Sequence, residues 1–136
     1  MKISALVKNS HETHSVVVST NDNQTTLEIK PKTDGRGSGV NGGELLFLSL
    51  ATCYCNDIFR EAANMGISVH DLEVNVEGEF GGRGDPADNV SFDVKISADA
   101  SEDAIKELLK LTDSVAEIQN TMRIAVPVTL RHAEIL

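Results

Sequence analysis

From Leu45 to Cys55 the chain carries no charged residue. Leu, Phe and Ala in this run fall on every side of a helical wheel rather than on one stripe. A helix that is apolar all round has to be enclosed by protein or by lipid. The run is far shorter than the ~20 residues that span a bilayer, so protein is the enclosure it calls for. Charge returns with Asp57, Arg60 and Glu61, which predicts that the C-terminal half reaches water, and Gly66 supplies a stop. Residues 42–66 are therefore read as one central helix. A chain of 136 residues has the size of a single domain, 1–136. It has little left over to wrap such a helix, and a homodimer that lends surface is the expected remedy.

The formal charge of −9 argues against nucleic acid and against an anionic membrane surface, both of which select basic patches. There is no Trp, so a base-stacking platform is not expected either. The N-terminal MKISALVKNS lacks the apolar core of a signal peptide. The two cysteines, Cys53 and Cys55, are not a secreted disulfide framework, and a reducing cytoplasm is the expected location.

Alternation predicts strands at Met1–Asn9, His14–Thr20 and Thr25–Lys30, joined by polar turns that include Asn21-Asp22-Asn23. A glycine-rich loop from Pro31 to Gly43 feeds the central helix. A hairpin of Val69–Phe80 and Asn89–Ser97 follows, with Leu72, Val74 and Val76 facing Val90, Phe92, Val94 and Ile96 on the inner side. Ser101 caps a second helix with Glu102 and Asp103 in its first turn. Its apolar face runs through Ile105, Leu108, Leu109, Thr112 and Val115, and it is drawn to about Met122. A final strand is predicted over Val126–Ala133. The order βββ-α-ββ-α-β reads as an α+β fold.

Cys53 sits on the central helix. A buried free cysteine is ordinarily a small hydrophobe; a reactive one needs a nearby cation or hydrogen-bond donor to favour its thiolate. Arg36 in the preceding loop and Arg123 after the second helix are the nearest cations by position. Cys55 is read as packing. Residues two apart on a helix project about 200° from one another, and a bridge needs Cβ atoms about 3.8 Å apart.

Gly37-Ser38-Gly39-Val40-Asn41-Gly42 matches G-x-G-x-x-G in outline, but without repeated βα units it reads as a flexible connection rather than a dinucleotide site. His11, His14, His70 and His132 form no cluster with zinc spacing, and Arg83-Gly84-Asp85 is turn chemistry. No cofactor or metal is expected. Glu44 opens the central helix, where an acid suits the dipole.

Taken together, Asn41-Gly42-Gly43-Glu44-Leu45-Leu46 leading into Leu50-Ala51-Thr52-Cys53, then the Val69–Phe80 strand and Val115-Ala116-Glu117-Ile118-Gln119-Asn120-Thr121-Met122-Arg123, resemble the OsmC/Ohr family of thiol-dependent hydroperoxide reductases. The resemblance implies an intertwined α+β homodimer with buried central helices. It implies a first-helix cysteine that attacks peroxide and becomes a sulfenic acid, a second-helix cysteine that closes a disulfide, and an Arg and a Glu that hold the thiolate and orient the peroxide. Cys53 falls on the first cysteine position and Glu44 near the Glu. The second cysteine position holds Ala116, and the family's N-terminal Arg has no counterpart before Arg36. The implied activity is reduction of organic or hydrogen peroxide with an external thiol as reductant. The alternative is a non-catalytic scaffold of this kind that binds a small apolar or thiol-bearing ligand at the dimer interface.

Overall fold

The computed structural model describes residues 1–136, which divide into two compact units, Met1–Leu46 and Phe47–Leu136.

The first unit is an antiparallel meander of β1 (Ile3–Ser10), β2 (Thr13–Thr20) and β3 (Asn23–Leu27). Ile3 pairs with Thr20, Ser10 with Thr13, and Thr20 in turn with Asn23. Asn21 takes the tight turn at φ 52°, a left-handed conformation that Asn tolerates. β3 stops at Leu27, short of the predicted Lys30. The segment beyond leads into Pro31, which has no N–H to extend a ladder. The loop that follows is folded back on its own unit rather than free. Gly39 N–H donates to Lys30 O at 2.8 Å, and Glu12 N–H donates to Gly35 O at 2.7 Å. A Cβ on Gly39 would stand 2.9 Å from Lys30 O, so close backbone approach accounts for that glycine of the G-x-G-x-x-G match. The alternation in β1 does not bury a face in this chain: all of its residues are exposed.

α1 (Gly42–Asn64) begins in the first unit and runs through the second. Asn41 and Glu44 form a reciprocal capping box, with Glu44 N–H donating to Asn41 Oδ1 at 2.9 Å and Asn41 N–H to Glu44 Oε2 at 2.7 Å. At the other end Gly66, at φ 68°, closes the helix: Ile67 N–H reaches Ala62 O at 2.8 Å and Gly66 N–H reaches Ala63 O at 3.2 Å.

In the second unit β4 (Val69–Phe80) and β5 (Ala87–Ala98) form a hairpin, and α2 (Glu102–Val115) and α3 (Glu117–Arg123) follow. Ser101 caps α2 as predicted, its hydroxyl accepting from Ala104 N–H. The core is built from Tyr54, Ile58 and Ala62 of α1 with Leu108 and Ala116, and Leu72, Val74, Phe92, Val94 and Ile96 of the hairpin pack against it. No helix is long and apolar enough to cross a membrane.

Four expectations need correction. The second helix does not run unbroken to Met122. Ala116, at φ −66° and ψ 107°, leaves the helical region and ends α2 while starting α3. The final strand over Val126–Ala133 is absent: residues 124–136 join no ladder, and Val128 is 97% exposed. A strand exists only where a partner backbone takes up its N–H and C=O groups, so the order within this chain is βββ-α-ββ-α-α. The central helix is buried along a stripe, Leu50, Tyr54, Asp57, Ile58 and Ala62, and not all round. Leu48 and Phe59 remain 58% and 49% exposed, because one chain supplies packing to one side. Lastly, Asp57 does not reach water; it belongs to the buried stripe.

Candidate active site

Cys53 and Asp57 lie one helical turn apart on α1, so both side chains project from the same face. Cys53 Sγ donates toward Asp57 Oδ2 at 3.6 Å, and Glu117 Oε2, at the start of α3, stands 3.9 Å from the same sulfur. Arg60 follows Asp57 by three residues and grips its other oxygen, Nη1 to Oδ1 at 2.7 Å. The Arg60 Nε then donates to Glu61 Oε1 at 2.8 Å.

The break at Ala116 is what presents α3 to this face. It places Glu117 and the Ile118 backbone N–H beside the sulfur. Gln119 anchors the arrangement: its Nε2 donates to Leu50 O at 2.9 Å in a buried bond, while its Oε1 has no partner. Tyr54, next to Cys53, is fixed through Leu109 O at 2.9 Å and a tilted ring contact with Phe92 at 4.9 Å.

The electrostatics favour the thiol form. Burial pushes the Cys53 thiol above its ordinary value; the Ile118 N–H opposes this, and Asp57 and Glu117 push it higher still. Burial also raises the Asp57 carboxyl, with Arg60 pulling it down and Glu117 pushing it up. Cys53 Sγ and one oxygen each of Asp57 and Glu117 lie within 4.8 Å of one another, a spread that a single cation would bridge. Arg60 already supplies positive charge to Asp57 here. We therefore read the three as a hydrogen-bonded group rather than as metal ligands.

The predicted residues are distributed unevenly. Cys53 is half-buried at this site. Glu44 and Arg36 belong to the first unit. Glu44 is engaged in the Asn41 capping box, and Arg36 is an exposed loop residue whose backbone N–H donates to Asp34 Oδ1 at 3.0 Å. Arg123 is occupied elsewhere, pairing with Asp113 at 2.6 Å and with Asn120 Oδ1 at 3.1 Å. The cation in the Cys53 group is Arg60, reached through Asp57. Cys55 lines a shallow groove with Ala51, Thr52, Asn56 and Val74, and both cysteines are free. Sequence reasoning missed Asp57, Arg60 and Glu117. The spacings Cys53–Asp57 and Asp57–Arg60 were the available signal for the first two; for Glu117, 64 residues away from Cys53, the signal was its place next to Ala116 in the segment that carries the family resemblance.

A family model described as OsmC-like protein matches residues 35–131. Among solved structures, an OsmC-like protein from Mycoplasma pneumoniae superposes with a TM-score of 0.65 at 22% identity, over 90% of this chain and 86% of that one. An OsmC-like protein of unknown function from Vibrio cholerae gives 0.62 at 12% identity, over 89% and 93%. An organic hydroperoxide resistance protein OsmC from Legionella pneumophila gives 0.53 at 17% identity, over 91% and 90%. At these identities the likeness is one of fold. No curated protein matches the chain.

Proposed function

Since the chain belongs to the OsmC-like protein family, we propose that it acts in peroxide resistance, reducing an organic hydroperoxide or hydrogen peroxide through Cys53 with an external thiol as reductant. The observation that carries this is the placement of Cys53 Sγ on α1 with three groups turned to it: Asp57, Glu117 and the Ile118 N–H. In the reaction, sulfur bonds to the terminal peroxide oxygen as the O–O bond breaks, giving a Cys53 sulfenic acid and an alcohol, or water from hydrogen peroxide. One thiol then displaces water to form a mixed disulfide, and a second thiol releases Cys53 and leaves as the oxidised disulfide. With Ala116 where the resemblance puts a second cysteine, this resolution comes from outside the chain. Glu44 and Arg36 are retained as the candidate peroxide-orienting pair on the resemblance alone.

The proposal extends to assembly and place. Residues 1–136 act as one domain, and two copies form a homodimer that covers the apolar residues one chain leaves open, among them Leu48, Phe59 and Val128. The cytoplasm is the compartment that suits two free cysteines. Light scattering after size exclusion tests the dimer. A wild-type monomer at micromolar concentration would count against it, and Leu48→Asp should weaken the dimer.

A second reading rests on the acid surroundings of the sulfur, which hold Cys53 as a thiol. In it the chain binds a small apolar or thiol-bearing ligand without turnover. The two are separated by following cumene hydroperoxide consumption with excess dithiol. Wild type should consume it catalytically and Cys53→Ser should not. Equal rates for the two proteins would end the peroxidase reading.

A further inference from the structure

We propose that Asp57 is the catalytic base of Cys53: its Oδ2 accepts the thiol proton as the sulfur attacks, and returns it to the leaving oxygen. This deepens the peroxide reading and rests on it for the identity of the electrophile. The two oxygens of the Asp57 carboxylate face different partners. Oδ1 is held by Arg60 at 2.7 Å, and Oδ2 faces Sγ at 3.6 Å. With one oxygen fixed by an ion pair, the other is oriented toward the sulfur by the helix itself. Asp57 is only 4% exposed, so its free lone pairs have little water to turn to. Glu117 is the other acceptor within reach, but it is exposed and farther from Sγ, at 3.9 Å.

Two carboxylates beside the sulfur disfavour a standing thiolate. A base that removes the proton during attack makes the sulfur nucleophilic without charge accumulating on it beforehand. The charged and titratable groups that bear on Asp57 are Cys53 and Arg60 from α1 and Glu117 from α3. The proton balance closes within this group. Sγ–O forms and O–O breaks, sulfur is oxidised by two electrons, and the peroxide is reduced. The S–H proton passes to Oδ2 and then to the alkoxide, which leaves as alcohol.

Simple electrostatics and general-base action predict opposite signs for one substitution, and that makes the proposal testable. Asp57→Asn removes a negative charge beside the sulfur. If the carboxylate acts only as a charge, Cys53 ionises more easily in the variant and reacts faster. If it acts as the base, Cys53 reacts more slowly although its ionisation is easier. The measurement is the rate of Cys53 alkylation by iodoacetamide between pH 5 and 10, by intact mass, in a Cys55→Ser background. For Asp57→Asn at pH 7 we expect a loss of at least about tenfold; an unchanged or increased rate overturns the proposal. Glu117→Gln removes charge without removing the base and should increase the rate. Should Asp57→Asn fail to fold, the wild-type profile decides. A rate plateau below the ionisation of the thiol itself supports the base, and a single rise with thiol ionisation overturns it. Cumene hydroperoxide is run in parallel. A protein that alkylates by the Asp57 route yet consumes no peroxide keeps the base and loses the peroxidase reading.

Discussion

Cys53 and Asp57 face each other across one turn of α1, with Sγ 3.6 Å from Oδ2, while the opposite oxygen of Asp57 holds Arg60 at 2.7 Å. The same buried carboxylate carries a stability cost. Burial raises the Asp57 carboxyl above its ordinary value, so the folded chain takes up this proton more readily than the unfolded one. Its contribution favours folding below the ordinary carboxylate range and turns against folding as pH rises through the raised folded value. Asp57→Asn should therefore have a higher Tm than wild type at pH 7, and the advantage should shrink as pH falls toward 4. The lost partner, Arg60, is half exposed, and its ion pair contributes little in return. Parallel thermal melts across this range check it; an Asn variant less stable at pH 7 than at pH 4, relative to wild type, contradicts it.

The chain has a single Tyr and no Trp, so Tyr54 can be followed spectroscopically without interference. Burial, with Asp113 adding to it, pushes its phenol up to about 12. Stability should decline as pH rises from the ordinary phenol range toward that value, because the unfolded chain releases the proton first. Absorbance titration should show no phenolate near pH 10 while the protein remains folded. Tyr54→Phe, which removes the bond to Leu109 O, should cost about 1 kcal/mol in a denaturant melt.

Gly78 lies where the β4–β5 register shifts, between Glu77 and Glu79. A Cβ there would come within 2.8 Å of Phe47 Cζ, 3.0 Å of Val90 Cγ2 and 3.2 Å of Asp88 O. The Phe47 ring is stacked on Phe80 at 5.9 Å, and the Asp88 oxygen is backbone, so neither yields freely. Gly78→Ala should destabilise by about 1–3 kcal/mol, the usual cost of overpacking. An Ala variant as stable as wild type would show that the site relaxes.

Gln119 brings a buried amide to Leu50 O at 2.9 Å but leaves its own Oε1 without a partner. The bond and the unsatisfied oxygen oppose each other. Gln119→Leu, which fills similar volume and buries no orphan oxygen, should change stability by less than about 1 kcal/mol. Gln119→Ala should cost about 2 kcal/mol or more through the space it empties. Chemical denaturation of both variants separates packing from the hydrogen bond.

What the sequence disclosed was mostly local. The limits of α1, the β4–β5 hairpin and the Ser101 cap are set by neighbouring residues, and each stands within two residues of where alternation and capping chemistry put it. Glu44 was read from the sequence only as an acid suited to the helix N-terminus; its reciprocal bonds with Asn41 are what make it part of a capping box. Asp57 was misread because a charge after an apolar run ordinarily marks a solvent face; here α3, from the far end of the chain, meets that face. The break at Ala116 carries no Gly or Pro to announce it. The Val126, Val128 and Leu130 alternation is present in the sequence, but a ladder needs a second backbone, and this chain pairs none with it.

Ala116 is fully buried in the core that contains Ile58 and Leu108. Interiors are close-packed, and an added sulfur atom in such a place displaces its neighbours. Ala116→Cys would therefore have to open the packing before it could bring in a second thiol. If the proposed chemistry holds, dependence on a borrowed reductant follows from the shape of the core as well as from the cysteine count. On the proposed chemistry, each oxidised molecule keeps a record of its encounter until an outside thiol erases it.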